Sequence, residues 1–152
     1  MSPRAVRLHE TADRQIAELA ELLSTADVAG LTRPCPGRGK LGDGTVGAVA
    51  AHTAENYRRI AQFLTAGTHH ERGPHGAGLR ASATRPDVLL DRLAAARQSL
   101  TAIGRLGDEQ LDSVPPAGGM KFADGERTLE QIIASLLKHQ RHQVDALAAA
   151  LS

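Results

Sequence analysis

The sequence predicts a single all-α domain, a four-helix bundle with long crossover connections, and three observations lead to this prediction. Four segments repeat apolar residues at three- and four-residue spacing, which is the period of an amphipathic helix. Ala and Leu, both good helix formers, dominate the apolar residues, whereas β-branched residues are sparse. A chain of 152 residues fits one domain, spanning residues 1–152. Long connections between such helices are known in bundles.

The first two predicted helices run from about Thr11 to Leu23 and from about Val46 to Leu64. Thr45 follows the turn-forming sequence Gly-Asp-Gly and is expected to cap the second helix at its N-terminus. The apolar faces are formed by Ile16, Leu19, Leu22 and Leu23 in the first helix and by Val49, Thr53, Tyr57, Ile60 and Leu64 in the second.

The third predicted helix runs from about Pro86 to Leu106, and its proline lies in the first turn, where proline is favoured. The fourth runs from about Leu129 to Leu151, and Thr128 followed by Gln131 has the pattern of a capping box. The apolar faces are formed by Val88, Leu89, Leu93, Ala96, Leu100 and Ile103 in the third helix and by Leu129, Ile132, Ile133, Leu136, Val144, Leu147 and Leu151 in the fourth.

The connections between these helices differ in composition. Residues 24–44 are rich in glycine and proline and predict a long irregular crossover. Residues 66–83 are rich in glycine and histidine and predict a mobile loop. Residues 107–127 predict one short helical turn, from Asp108 to Leu111, before a Pro-Pro break.

Composition excludes several classes of partner. A net charge of +1 with scattered basic residues argues against nucleic acid, and three aromatic residues are too few for base stacking. No apolar run reaches the roughly 18 residues of a membrane helix, and the N-terminal residues do not have the pattern of a signal peptide. The single cysteine, Cys35, fits a reducing compartment, so a cytoplasmic location is expected.

Three of the seven histidines, His52, His139 and His142, lie on predicted long helices, where facing helices can hold a metal ion. Each of these three histidines can equally be a residue at the boundary of the core that binds no metal. Helix phasing at roughly 100° per residue puts His139 at the edge of the apolar stripe, Gln143 closer to the core and His142 towards solvent. His52 lies at the boundary of its own stripe.

Two other segments contain reactive side chains. The loop from His69 to His75 could chelate a metal, but a solvated Gly-rich loop lacks the fixed backbone of a specific site. Neighbouring arginines could lower the pKa of Cys35, yet no sequence neighbour offers a base, which favours an unreactive loop thiol. The sequence contains no GxSxG, P-loop, GxGxxG, HExxH or CxxC pattern.

Two segments give the sequence a family resemblance. Residues 42–52 read GDGTVGAVAAH and end in His52, and residues 124–143 open the last helix and contain KHQRHQ. Together with the helix order and the crossover, they resemble the DinB-like superfamily over most of the chain. Its members are four-helix bundles, often dimers, and typical ones hold a divalent metal with one histidine of the second helix and an HxxxH pair of the last. Some are transferases or isomerases that use low-molecular-weight thiols, which the metal would keep as thiolates.

Residue by residue, the resemblance implies His52 as the first metal ligand and His139 as the second. The third position, four residues further on, holds Gln143, whose side-chain oxygen is a weak ligand for a transition metal. The other register would pair Lys138 with His142, and helix phasing puts both outside. Three explanations stay open: no metal binds, His142 swings in, or another group such as the Cys35 thiolate completes the shell.

Two functions follow as expectations. The resemblance implies a homodimeric, metal-dependent enzyme that acts on a small molecule and uses a low-molecular-weight thiol. Zn, Ni, Fe or Mn would be held by His52 and His139, with His142 or Gln143 nearby. The alternative is a metal-free bundle that binds a small ligand or a partner protein through hydrogen bonds at a pocket rim. The candidate pocket residues beside the histidines are Gln143, Asn56, Tyr57 and Cys35.

Overall fold

The computed structural model describes residues 2–66 and 85–152, and helices account for most of them. Within these ranges there is no β-strand, and one isolated antiparallel bridge joins Pro34 to Thr45. The all-α prediction is therefore confirmed. The predicted mobile loop, residues 66–83, lies outside the described residues except for Ala66, which ends a helix. The histidine-rich segment from His69 to His75 therefore also lies outside them. None of the described helices has the length and apolar character needed to cross a membrane.

Helix α1 spans Pro3–Ser24 and so begins at Pro3 rather than at Thr11. The Ser2 side chain caps it by accepting a hydrogen bond from the backbone N–H of Ala5 at 3.3 Å, and Pro3 occupies the first turn. The extra turns bury a small residue, Ala5, against the core. A search for large apolar residues at helical spacing therefore misses this end of the helix.

The crossover after α1 contains a short helix, α2 (Val28–Leu31), and is otherwise irregular as predicted. Two backbone hydrogen bonds of 2.8 Å close its last part, from Cys35 N–H to the Gly44 carbonyl and from Val46 N–H to the Arg33 carbonyl. Gly44 has a φ of +76°, and a Cβ there would lie 3.0 Å from Cα of Gly39. The chain is thus held in a tight turn that fixes the residues within it beside the next helix.

Helix α3 spans Val46–Ala66 and begins where the sequence predicted. The backbone N–H of Ala48 donates to Oγ1 of Thr45 at 3.2 Å, so the predicted N-cap is confirmed. The Thr45 hydroxyl in turn donates to the Asp43 carboxylate at 2.6 Å, which ties the cap to the end of the crossover.

The third predicted helix is divided in the structure. Helix α4 spans Pro86–Ser99 and continues as a 3₁₀ segment over Leu100–Arg105. In a 3₁₀ helix residues i and i+3 lie on one side, which buries both Leu100 and Ile103. The segment packs against α1, where a Cβ at Gly104 would lie in ordinary contact, 3.5 Å from Cβ of His9.

The last part of the chain follows its prediction. Helix α5 spans Asp108–Asp112, and helix α6 spans Leu129–Leu151. The capping box is confirmed: Gln131 N–H donates to Oγ1 of Thr128 at 3.2 Å, and Thr128 N–H donates to Oε1 of Gln131 at 2.9 Å. Both ends of α6 therefore agree with the sequence prediction, and this helix carries His139, His142 and Gln143.

The four long helices pack pairwise, with α1 and α3 each in contact with both α4 and α6. A series of hydrogen bonds between buried polar groups crosses this core. The Tyr57 hydroxyl on α3 donates to Oε1 of Gln15 on α1 at 2.8 Å, and Nε2 of Gln15 donates to the Leu137 carbonyl on α6 at 3.0 Å. Tyr57 and Gln15 are both buried, so each satisfies the polar group of the other away from water.

Candidate functional site

A cavity of about 860 Å³ lies between the crossover, α3, α6 and the loop that precedes α6. Residues 37–41 of the crossover form one wall, and α3 faces them with His52, Asn56, Arg59 and Ile60. The remaining lining residues are Met120 and Lys121 of the loop and Leu136, His139, Gln140, His142 and Gln143 of α6. The cavity is large enough for a small organic molecule, since ligand pockets typically measure roughly 300–1,000 Å³.

Five of the seven candidate residues predicted from the sequence line this cavity: His52, Asn56, His139, His142 and Gln143. Their burial follows the helix phasing, because Gln143 is buried, His139 is half-buried and His142 is exposed. The periodicity of α6 therefore predicted correctly which of its side chains point inward.

The other two candidates, Tyr57 and Cys35, do not line the cavity. Tyr57 is fully buried, and its hydroxyl is directed to Gln15 on α1 instead. The Sγ of Cys35 lies 4.0 Å from the Ala146 carbonyl, and the residue is 2% exposed. Their assignment to the pocket is therefore corrected: both side chains belong to the packed core around it.

The Cys35 thiol has the surroundings of an unreactive group. Burial raises the pKa of this thiol, and the opposing effect of the Arg38 charge is smaller. Because the thiolate is the nucleophile and the metal ligand, a raised pKa disfavours both roles. The structure thus favours the unreactive thiol over the nucleophile among the two interpretations that the sequence left open.

His52 takes part in a row of hydrogen-bonded side chains that joins α3 to α6. Nδ2 of Asn56 lies 3.2 Å from Nε2 of His52 and 3.3 Å from Oε1 of Gln140. Nε2 of Gln140 donates to the Thr53 carbonyl at 2.8 Å. Since an amide nitrogen only donates, Nε2 of His52 accepts in this arrangement, and its lone pair is engaged by Asn56.

Gln143, at the third ligand position of the family pattern, is engaged by a cation. Nε of Arg38 donates to Oε1 of Gln143 at 2.6 Å, and Nη1 of Arg38 donates to the Gly37 carbonyl at 3.1 Å. A guanidinium at this distance repels any divalent cation that would approach the same oxygen. The contact also fixes Arg38, a residue of the irregular crossover, against the middle of α6.

The charges around His139 also oppose the binding of a metal ion. Burial lowers the pKa of His139, and the positive charges of Lys121, Arg38 and His142 lower it further. A divalent cation beside this ring would be repelled by the charges of Lys121 and Arg38.

These donors do not fit a divalent transition metal as they are arranged. Within residues 2–66 and 85–152, no three His, Cys, Asp or Glu side chains come close enough to hold one metal ion together. A typical catalytic zinc site needs three protein ligands, of which His52 and His139 would supply two. The third position offers the Gln143 oxygen, which already accepts from Arg38.

The cavity wall has a one-sided charge that sequence reasoning missed. Its fully charged side chains are all cations, Arg38, Lys40, Arg59 and Lys121, and the described residues contribute no carboxylate to the wall. Helix periodicity could have indicated Arg59, which lies seven residues, or about two turns, after His52. No local signal marks Lys121, because it lies in an irregular loop.

Compared with protein-family models, with curated proteins and with solved structures, the chain matches none of them.

Proposed function

We propose that this chain is a DinB-like four-helix bundle that binds a small organic molecule in the cavity between the crossover, α3 and α6, without a metal ion. The four long helices and the long crossover between α1 and α3 support the bundle. The observation that carries the function is the cavity of about 860 Å³, which gathers five of the residues that the sequence predicted for a site.

The composition of the wall suits a ligand with apolar and polar parts. Leu41, Ile60, Met120 and Leu136 offer apolar surface for the body of the ligand. Polar groups converge from α3 and α6, where the hydrogen-bonded row that contains His52 can orient the ligand. A mostly apolar pocket with a few placed polar groups is the usual composition of a small-molecule site.

A second candidate is the metal-dependent enzyme, in its thiol-dependent form, that the resemblance implies. It is favoured by one observation: His52, His139 and His142 all line the same cavity. This candidate requires His142 to turn inward from its exposed position, or Arg38 to release Gln143. It predicts about one equivalent of transition metal per chain that is lost in His52→Ala. The homodimer and the cytoplasmic location stay predictions of the sequence.

A ligand screen, repeated on a variant with a bulky side chain at the cavity wall, tests the proposed function. A set of small organic molecules of varied charge is screened by ¹H–¹⁵N NMR, and we expect the shifted amides to lie in residues 37–41, 52–60 and 136–143. Met120→Trp places an indole at the cavity wall and should weaken binding by about tenfold or more, which corresponds to about 1.4 kcal/mol. Val114→Trp is the matched control, because Val114 lies in the same loop, is 48% exposed and does not line the cavity.

Two results would contradict the proposal. One is that ligands shift amides elsewhere, for example around the groove between α1 and α4 that His9 and Leu90 line. The other is that Met120→Trp, shown by circular dichroism to be folded, binds the same molecules as tightly as the wild type.

A further inference from the structure

The chemical class of the ligand can be read from the charges of the cavity wall, an inference that rests on the proposed function. Arg59 is partly neutralised, since its Nε lies 3.7 Å from the Glu55 carboxylate. Among the described residues, Arg38, Lys40 and Lys121 form no ion pair with a carboxylate. Three cations thus face one cavity, and the part of the chain that the structure describes supplies no carboxylate to pair with them.

Arg38 is the best placed of these cations. Its Nε and Nη1 are held by Gln143 and by the Gly37 carbonyl, so the guanidinium has a fixed orientation at the wall. No described residue accepts a hydrogen bond from its Nη2. A planar guanidinium that is already oriented loses little freedom when it binds an oxyanion, and such charge-assisted hydrogen bonds are strong.

Lys121 lines the same cavity from another segment of the chain. It lies in the loop before α6, whereas Arg38 lies in the crossover, and both of their charges are felt at the ring of His139. The two cations therefore flank one region of the wall. Carrying like charges at one site costs free energy in the empty protein, and a bound anion would relieve that repulsion.

Apolar side chains complete the same cavity. Ile60 of α3 and Leu136 of α6 line it together with Leu41 and Met120. An inorganic anion would leave this surface without a partner, and a purely apolar molecule would leave the cations without one. An anion with an apolar body satisfies both.

We propose that the ligand is a small organic carboxylate or phosphate monoester with an apolar body, whose anionic group is bound between Arg38 and Lys121. The apolar body lies against Ile60 and Leu136. The polar row of His52, Asn56 and Gln140 then lines the cavity beside the ligand.

Calorimetry with four probes that share one six-carbon chain tests this inference. Hexanoate and hexyl phosphate carry the anion, hexanamide is neutral and hexylamine is a cation. We expect at least one of the two anions to bind about tenfold or more tightly than hexanamide, since hydrogen bonds to charged groups are worth more than neutral ones. Hexylamine should not bind. Which anion binds more tightly distinguishes a carboxylate site from a phosphate site.

Single substitutions locate the anionic group. Arg38→Gln and Lys121→Met should each weaken binding of the anion by about tenfold and change hexanamide binding by less than about twofold. The matched controls are Arg33→Gln in the same crossover and Lys138→Met on α6, because both residues are exposed and lie outside the cavity wall. The controls should bind the anion like the wild type.

The results that overturn the inference differ from those that overturn the proposed function. If hexanamide binds as tightly as the anions, or if Arg38→Gln and Lys121→Met bind the anion like the wild type, the ligand class is wrong while the cavity remains a binding site. If none of the four probes binds, the ligand class is again wrong. The proposed function fails as well only if the wider NMR screen also finds no ligand at the cavity.

Discussion

Replacing Tyr57 with alanine is expected to lower the free energy of unfolding by about 3–5 kcal/mol, the range measured when a buried aromatic residue is truncated. The ring is fully buried, so its removal leaves a large cavity in the core. The substitution also removes the hydroxyl that donates to Gln15 at 2.8 Å, and with it the polar connection from α3 through α1 to α6. Urea unfolding followed by circular dichroism measures the loss.

Tyr57→Phe is the matched control for that prediction. It keeps the ring and leaves Oε1 of Gln15 buried without its donor, which should cost about 1–3 kcal/mol. Because Tyr57 faces α1 rather than the cavity, Tyr57→Phe should bind small molecules like the wild type. A loss below about 1 kcal/mol for Tyr57→Ala would contradict the packing described for this residue, given the usual range for such truncations.

Gln143→His is expected to raise the affinity of the cavity for zinc. The substitution supplies a third imidazole on the same face of α6 as His139, within a cavity that His52 also lines. It also removes the oxygen that accepts from Arg38. Zinc affinity should rise by roughly a hundredfold or more, because three protein ligands are typical of an open zinc site and two hold the ion weakly. Competition with a chromogenic chelator measures the affinity.

The sequence offers a close control for this gain. Lys138→His gives the same four-residue spacing with His142, but both positions are exposed and Lys138 lies outside the cavity wall. It should therefore raise zinc affinity far less than Gln143→His. If the wild type already binds zinc as tightly as Gln143→His, the wild-type ligand set is complete, and the metal-dependent enzyme becomes the better account.

The helices could be predicted from the sequence wherever capping residues and large apolar side chains mark them. Helix α6 has both signals, and its bounds agree with the prediction. The first turns of α1 bury only a small residue, Ala5, which gives little apolar periodicity, so the predicted helix begins too late. The end of the third predicted helix is a 3₁₀ segment that buries Leu100 and Ile103, and their three-residue spacing fits an α-helix equally well, so spacing alone does not distinguish the two geometries.

The site could be predicted only on its helical side. Periodicity placed His139 and Gln143 correctly, because a helix fixes the direction of each side chain. It could not find Arg38, which reaches Gln143 from an irregular crossover across 105 residues of sequence. Tyr57 is a candidate pocket residue in the sequence, yet its hydroxyl is directed to Gln15 on α1. Contacts between a loop and a distant helix depend on the whole fold, and no local pattern encodes them.

The central claim, that the cavity binds a small organic molecule without a metal ion, is tested most directly by one calorimetric comparison. The tightest ligand from the NMR set is titrated into protein treated with a chelator and into untreated protein. The account predicts the same dissociation constant in both titrations. Loss of binding after chelation, with recovery on addition of one equivalent of zinc, would contradict it.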